Sequence, residues 1–592
     1  MTANKRLTSV IAVSEQGLVI DTIKQPSRAK TIARLEPPKR LTYPLIDRRF
    51  GALTPKVKPG QCVRKGELLA IHDFQQGLNV HCALPGRVLG VERHVSLSHL
   101  SSASPCLVID VEASQETHSE QHLSNTALSM PALHEPDWPM IIQRVAETGI
   151  VGLGGAGFPT AQKMPHELQY VVINAAECEP FITADERLII EQAQQIAQGI
   201  ELIETAAKPE RIIVAIEEDK TEAIACLQKA LPKQVEFQLL ASKYPTGSER
   251  QLVRALLGNV PDLNAPLKEF GIWVVNIATL FAIKRAVLDG EVLTQRVVTV
   301  AGAAIAEPRN YWLPIGMPVN ELAQQLGLDK KSGADDTLEW IHGGPMMGVD
   351  LQRQNIPVEK VTNALLLDPE TNKKRQAKAR PCIRCGKCEE ACPEFLLPQQ
   401  LLKASEHDAQ EVLESLKLEQ CLECGACDFV CPSDIPLAQH FAEAKVKLRT
   451  TRQTQSQAQA AKLRYERRAQ RLLQREEQRE ALKLERAKAR KARVQSAKPQ
   501  AKVGTEAVKL ADQKIVKSSP EQERFETTDS KQLKTELAKA QSIYQQAEKA
   551  LAQAKKQNMP KLEQLEAHVA QLKARVEAAQ QAYDQQLSGG SS

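Results

Sequence analysis

Two short segments repeat the pattern C-x-x-C-x-x-C-x-x-x-C-P: PCIRCGKCEEACPEF at 381–395 and QCLECGACDFVCPSD at 420–434. Three cysteines so spaced wrap one face of a cubane and leave its fourth corner open, whereas a zinc site usually joins two C-x-x-C pairs across a spacer. The pattern points to [4Fe–4S] clusters, with zinc or purely structural thiols as the alternatives. In two-cluster ferredoxin modules the last cysteine of each run ligates the other cluster. Cys382, Cys385, Cys388 and Cys431 then form one ligand set and Cys392, Cys421, Cys424 and Cys427 the second. Gly386 and Gly425 leave room for the backbone to approach sulfur, and Pro393 and Pro432 end the ligand turns.

These runs hold eight of the thirteen cysteines, which argues against a disulfide scaffold, and the opening MTANKRLTSV has no apolar signal segment. The thiols are expected in a reducing cytosol. At 592 residues the chain is too long for one core, and at roughly 150 residues per domain about four units are expected. The net charge of +5, from 77 basic and 72 acidic residues, is too small an excess to predict nucleic-acid binding. The most apolar long stretch, GIWVVNIATLFAIKRAVL at 271–288, carries Lys284 and Arg285 and changes midway from strand-like to helix-like. It is not read as a membrane span, so membrane contact is expected to be indirect, through partners.

Glycine-punctuated strands mark an N-terminal β domain within 1–130 (VKPGQCVRKGELLAI, HCALPGRVLGV, PCLVIDVE), with turns expected at Gly60, Gly66 and Gly86. Its half-motifs resemble the barrel-sandwich hybrid of biotinyl and lipoyl domains, without the lysine that carries their cofactor, and a structural role is expected. From 131 to 292, helix-like and strand-like segments alternate (YVVINAAE, DERLIIEQAQQIAQGIELI, RIIVAIEE, TEAIACLQKAL, VEFQLLA, GIWVVNIA), the pattern of an α/β unit with a mainly parallel sheet. A second β-rich stretch follows at 293–365, and the cysteine module at 366–445. From 446 to 592 the composition turns to Ala, Gln, Glu, Lys and Arg, which reads as long polar helices. Leu533, Leu537, Ala540, Tyr544, Ala547 and Leu551 form one heptad seam, and Leu562, Leu565, Val569, Leu572, Val576, Ala579 and Tyr583 form another beyond Pro560. An antiparallel coiled-coil hairpin is expected there, with an unpaired, solvated helix as the alternative.

Residues 149–163 read GIVGLGGAGFPTAQK, in which Gly152, Gly154 and Gly157 satisfy G-x-G-x-x-G. The helix-like segment before it and Pro159 after it depart from a dinucleotide fingerprint, and a tight turn is the plain alternative. With Pro159 at a first helical position, the loop would lead glycine amides into a helix N-terminus, a surface suited to a phosphate or a flat ring. The cysteine runs add a constraint. Iron–sulfur centres move single electrons and nicotinamide gives up two as hydride, so a protein joining them needs a flavin between.

GLGGAGFPTAQK is similar to the flavin and nicotinamide loop of the complex I flavoprotein subunit. Together with the cysteine pair, it makes residues 1–440 resemble the RnfC (RsxC) family, the C subunits of the Rnf (Rsx) electron transport complex. The resemblance implies a multidomain α/β and β fold: barrel-sandwich hybrid, Rossmann-like FMN/NAD domain, β-grasp (SLBB) domain and two-cluster ferredoxin-like helical module, before the helical tail. It implies two [4Fe–4S] clusters, FMN and NAD(H) as cofactors, and the other Rnf/Rsx subunits as partners. The family complex couples electron transfer between ferredoxin and NAD to ion movement, with the RnfC component peripheral on the cytoplasmic side of the bacterial inner membrane. Carried over, Gly152, Gly154, Gly155 and Gly157 belong to the flavin loop, Phe158 lies near the nicotinamide nucleotide and Lys163 meets phosphate. VINAAECEP places Asn174 on FMN and Glu177 and Glu179 at the cofactor pocket; YPTGSE adds Tyr244, Gly247 and Glu249, and VVNIAT adds Asn276 and Thr279. Leu153 stands where complex I has arginine, and Ala176 and Ser248 where it has carboxylates.

Cys178 lies among carboxylates, which raise a thiol's pKa, so it is not expected to be a nucleophile. Cys62, Cys82, Cys106 and Cys226 read as small core residues, and His342 as the support of a turn. The resulting expectation is a redox relay from NADH through FMN to the clusters. A corrinoid reductase of similar architecture and a flavin-free scaffold wiring two partners are the rivals.

Overall fold

The computed structural model describes residues 9–47, 49–97, 99–112, 129–258, 265–328, 339–351 and 355–496, with scattered helical positions between 537 and 584. The chain divides into two compact units, 1–474 and 475–592.

The described residues of the N-terminal β domain form two larger sheets and a two-stranded ribbon, Ile46–Asp47 against Gly51–Ala52. Arg40–Pro44, His99–Val111, Gly86–Ser96 and Cys62–Val63 lie side by side in that order, all antiparallel. Thr54–Pro55, Leu68–Ile71 and Val80–His81 form the smaller sheet. Leu69 and Ala70 share a core with Leu41, Val88 and Ile109 of the larger sheet. Gly60 and Gly66 turn with positive φ. Gly86 does not: it opens a strand, and a Cβ there would stand 2.3 Å from the Asp110 carbonyl, so close backbone approach is what requires glycine. Segments within residues 11–34 pair outside these sheets. Ile11 bridges Leu240, Leu18 bridges Tyr244, and Ala33–Arg34 runs parallel to Tyr311 and Trp312.

The α/β unit contains α1 (Trp138–Glu147), α2 (Thr160–Lys163), β1 (Tyr170–Asn174), α3 (Ala184–Ala207), β2 (Arg211–Glu217), α4 (Thr221–Ala230), β3 (Glu236–Leu240), α5 (Glu249–Leu257), β4 (Ile272–Asn276) and α6 (Ile277–Leu288). The four strands are parallel, in the order β3-β2-β1-β4. Their apolar runs are nearly continuous because both faces are covered. Val171, Ile173, Val214 and Val275 join the core with α3 and α6, while Val172, Ala215 and Val274 pack with Leu252 and Val253 of α5. The apolar stretch at 271–288 is β4 followed by α6. Among the described residues no helix is long and apolar enough to cross a membrane.

The next sheet comprises β5 (Gln295–Ala301), β6 (Arg309–Pro314), β7 (Ile341–His342), β8 (Val349–Asp350) and β9 (Ala364–Leu366), in the order β6-β5-β9-β7-β8, with Ala33–Arg34 on the β6 edge. His342 lies in strand β7 and supports a turn from there: its Nε2 is 3.0 Å from Oγ1 of Thr362, the residue that closes the Glu359–Thr362 turn.

The cysteine module repeats its backbone. Arg384, Gly386 and Phe395 have positive φ, and so do Glu423, Gly425 and Asp434, each 39 positions later. Gly386 and Gly425 are the N-caps of the matching short helices Lys387–Glu390 and Ala426–Phe429. The long helix Leu437–Ser496 buries Leu437, Phe441, Ala444 and Leu448 in the module's core, whereas nearly all of its described residues beyond 452 are exposed.

In the second unit, Leu537, Tyr544, Ala547, Leu551, Val569, Leu572 and Val576 are helical and buried or half-buried, while Gln541, Glu548, Lys573 and Glu577 are exposed. The other positions of the two heptad seams, and Pro560, lie outside the described residues. Tyr544 donates to Glu548 and is within electrostatic reach of Glu577, so the two helical segments approach each other there.

Candidate functional site

The cysteines of the two runs line two separate small cavities. One is bounded by Cys382, Cys385, Cys388 and Cys431 with Leu402 and Ile435. The other is bounded by Cys392, Cys421, Cys424 and Cys427 with Leu396 and Phe441. Each cavity thus takes three cysteines from one run and the last cysteine of the other. Four sulfurs spread around a cavity with apolar walls fit a cubane. Burial pushes the Cys421 and Cys424 thiols up to about 11 and about 12, and Cys427 higher still, where Asp428 adds its charge. Thiols held in this way keep their protons until a metal takes their place.

The glycine loop lies at the carboxyl edge of the parallel sheet, where the strand order reverses between β1 and β4, the position at which open α/β sheets bind ligands. It is pinned at Leu153, whose N–H donates to Thr279 Oγ1 (2.9 Å) and whose carbonyl accepts from Arg296 (2.9 Å). Beyond that anchor, residues 154–156 are exposed. Gly155 has φ +105°, with open space where a side chain would point. A Cβ on Gly154 would stand 3.3 Å from the Asn276 amide, and one on Gly157 2.5 Å from Val361. The result is bare backbone, fixed from behind and open in front, which fits a flat ring. Pro159 is the N-cap of α2 and not its first residue.

Asn174, Gly247, Glu249, Lys163 and Asn276 gather around this edge. Asn174 donates to the Gly247 carbonyl (3.0 Å), and Lys163 meets Glu249 at 2.6 Å with both side chains about a third exposed (33% and 36%). An ion pair that open contributes about 0.5 kcal/mol, so an incoming phosphate can displace Glu249 from Lys163.

Other residues of the expected site are also engaged within the fold. Glu177 accepts from the Asp185 (2.9 Å) and Glu186 (3.3 Å) amides and so satisfies the N-terminus of α3. Burial, then the charge of Asp185, raises its carboxyl to about 7. Glu179, also raised to about 7 by burial, accepts from the Met346 (3.2 Å) and Met347 (2.8 Å) amides of the GGPMMG loop. Phe158 packs edge-on against Phe50 of the β domain, centroids 5.8 Å apart. Tyr244 is buried and donates to the Cys424 carbonyl at 2.5 Å.

Sequence reading missed a buried ionic group beside β2, in which Lys220 meets Glu217 (3.1 Å) and Glu186 (3.6 Å) and Lys24 donates to the Glu177 carbonyl. The i,i+3 spacing of Glu217 and Lys220 was the one local signal for it. Cys178 is a protonated thiol, raised to about 11 by burial and then by Glu217. Cys82 and Cys106 are buried and Cys226 half-buried, but Cys62 is exposed and is no core residue, because it lies on the outward face of an edge strand.

Four family models match: an RnfC barrel sandwich hybrid domain at 13–114, a Nuo51 FMN-binding domain at 145–285, an SLBB domain at 297–350 and a 4Fe-4S dicluster domain at 381–435. The C subunit of the ion-translocating oxidoreductase complex of Klebsiella pneumoniae is 33% identical over 538 residues, which cover 89% of this chain and 69% of that protein. This chain belongs to the RnfC family, the C subunits of ion-translocating oxidoreductase complexes. The family's Edwardsiella ictaluri member is 37% identical over 455 residues, 76% of this chain and 56% of that protein, and the Pasteurella multocida member 34% identical over 447 residues, 75% and 52%. The chain therefore spans between about half and two thirds of these RnfC proteins. As a member of the family, it carries an FMN-binding type of domain and a 4Fe-4S dicluster domain behind a barrel-sandwich hybrid.

Proposed function

We propose that the chain is the NADH-linked electron-transfer subunit of a membrane-bound, ion-translocating NAD:ferredoxin oxidoreductase, peripheral on the cytoplasmic side of the inner membrane. It holds FMN at the switch point of the parallel sheet and two [4Fe–4S] clusters in the cysteine cavities. The observation that carries this reading is the direct packing of the flavin-type domain on the cysteine module through the 244–249 loop, which contributes Gly247 to the first site and Tyr244 to the second.

Bound FMN supplies the conversion of a hydride into two single electrons. The chain's own residues do the rest. The backbone at 154–156 offers a flat, unobstructed surface, and Asn174 and Asn276 flank it with one amide each. Lys163 is the cation within reach of a phosphate once it leaves Glu249. Neither hydride transfer nor single-electron transfer needs a general acid or base, and the buried carboxylates of Glu177 and Glu179 are spent on backbone amides.

Anaerobic purification of the full chain, followed by flavin fluorescence, iron analysis and an EPR-monitored redox titration, tests the proposal. One flavin, two cubane signals and bleaching of the flavin by NADH are expected. Cubane signals without flavin leave an electron-wiring scaffold. Flavin that NADH does not bleach removes the nicotinamide link.

A further inference from the structure

Resting on that function, we infer the order of the two cysteine sites: the Cys392, Cys421, Cys424, Cys427 set is the inlet from the flavin, held in place by Tyr244, and the Cys382, Cys385, Cys388, Cys431 set is the outlet.

Among the described residues, the hydrogen bonds from the flavin-type domain reach one of the two sites. Tyr244 donates to the Cys424 carbonyl at 2.5 Å, and Gln251 of α5, also buried, donates to the carbonyl of Pro393, next to Cys392 (3.1 Å). Ser14, on the N-terminal segment that pairs with the same domain, donates to that carbonyl too (3.0 Å). Tyr244, Ala391, Cys424 and Ala426 share one small apolar core, with Cys178 and Met346 against it. From Asn174 the path runs across one hydrogen bond to Gly247, along three peptide units to Tyr244, and across one more hydrogen bond to Cys424. Among the described residues no hydrogen bond joins the flavin-type domain to the segment 380–388 or to Cys431.

The other site faces outward. Cys382 and Cys385 are exposed, and Ile383 between them is 68% exposed. Segment 380–381 hydrogen-bonds within the module, to Pro432 and Ser433. Electron tunnelling falls steeply with distance and is carried best by packed, bonded atoms, so the shielded, tethered site receives and the exposed site delivers. The balance is NADH to NAD⁺, one proton and two electrons; the proton goes to solvent, and the electrons pass singly through inlet and outlet to two equivalents of a one-electron acceptor.

Tyr244 is a positioning residue, and Tyr244→Phe in the fully loaded chain tests its role. A soluble dysprosium chelate, added to reduced wild-type protein, is expected to relax one cubane EPR signal strongly and the other weakly, which identifies the exposed site. In Tyr244→Phe, with flavin and iron contents unchanged, the reduction equilibrium of the shielded signal is expected to move about tenfold, or ~59 mV for a one-electron couple, while the exposed signal stays in place. NADH-driven reduction of both signals is expected to slow at least tenfold, and reduction by dithionite not at all. A shift in the exposed signal, or in neither, overturns the order. So do two signals equally sensitive to dysprosium. Wild-type protein that titrates normally but ignores NADH refutes the proposed function, and the Tyr244→Phe shift still decides which site the flavin-type domain touches.

Discussion

Asn174 and Asn276 stand opposite each other, in register, at the carboxyl ends of the neighbouring strands β1 and β4. Each uses both halves of its amide. Asn174 accepts from the Ala176 N–H (3.0 Å) and donates to Gly247; Asn276 accepts from the Ala278 (3.0 Å) and Thr279 (3.3 Å) amides, capping α6, and donates to Asp185 (2.5 Å). Only a side chain with a donor and an acceptor a few ångströms apart can brace a strand end and a neighbouring element together. The pair holds the switch point open beside Gly154.

Replacing Asn276 by alanine removes the α6 cap, at a cost of about 1 kcal/mol, and leaves the buried Asp185 carboxylate without its donor, a further ~1–3 kcal/mol. Thermal unfolding is expected to show that loss, and a fluorescence titration a flavin affinity at least tenfold weaker. Asn276→Ala protein that is destabilised but binds flavin normally would reduce Asn276 to a helix cap.

The equivalent glycines of the two cysteine runs are not equally replaceable. Both have positive φ, +82° at Gly386 and +70° at Gly425, so alanine at either costs roughly 1–2 kcal/mol of backbone strain. A Cβ on Gly386 meets nothing within 4 Å, but one on Gly425 stands 2.6 Å from the Met346 carbonyl. Gly425→Ala is expected to unfold several degrees below Gly386→Ala and to lose iron from its own cavity first. Equal melting temperatures for the two variants would mean that the 344–348 loop yields to the added methyl.

Local signals in the sequence carried much of this. Spacing marked the cysteine runs, the alternation of strand-like and helix-like segments marked β1 to β4, and the switch from strand to helix inside 271–288 was visible in its periodicity. What sequence could not show was which distant groups those elements meet. Glu179 finds its amide donors 167 and 168 positions away, and Tyr244 its acceptor 180 positions away. No periodicity encodes such partners, because they are fixed by how finished elements pack. The same holds for residues 11–34, whose pairings with β3, with Tyr244 and with β6 have no local signal, and for Gly86, whose need for glycine comes from Asp110 on the adjacent strand.

The exchange of cysteines between cavities can be read spectroscopically. Cys431→Ser is expected to alter the same cubane signal as Cys385→Ser, although 46 residues separate the two positions and Cys427 is only four from Cys431. Cys427→Ser and Cys392→Ser are expected to alter the other signal. If Cys431→Ser instead behaves like Cys427→Ser, each run closes on its own cluster and the ligand sets must be redrawn.

His342 gives the SLBB-type domain an acid limit. Buried beside Thr362, its imidazole is lowered from 6.5 to about 4, first by burial and then by the charge of Arg296. The folded state favours the neutral ring. Its contribution to stability is therefore complete above pH 6.5 and is lost as pH falls from there through 4, a difference on the order of 3 kcal/mol over that window. Glu177, Glu179 and Glu359, each raised to about 7 by burial, act in the opposite direction, costing stability as pH rises from about 4.5 to 7. The histidine is isolated by comparing wild type with His342→Gln in denaturant titrations at pH 7 and pH 4. The glutamates contribute alike to both proteins, so the wild type is expected to lose about 3 kcal/mol more than the variant between the two pH values. An unchanged difference would mean that the ring takes up its proton within the fold without penalty.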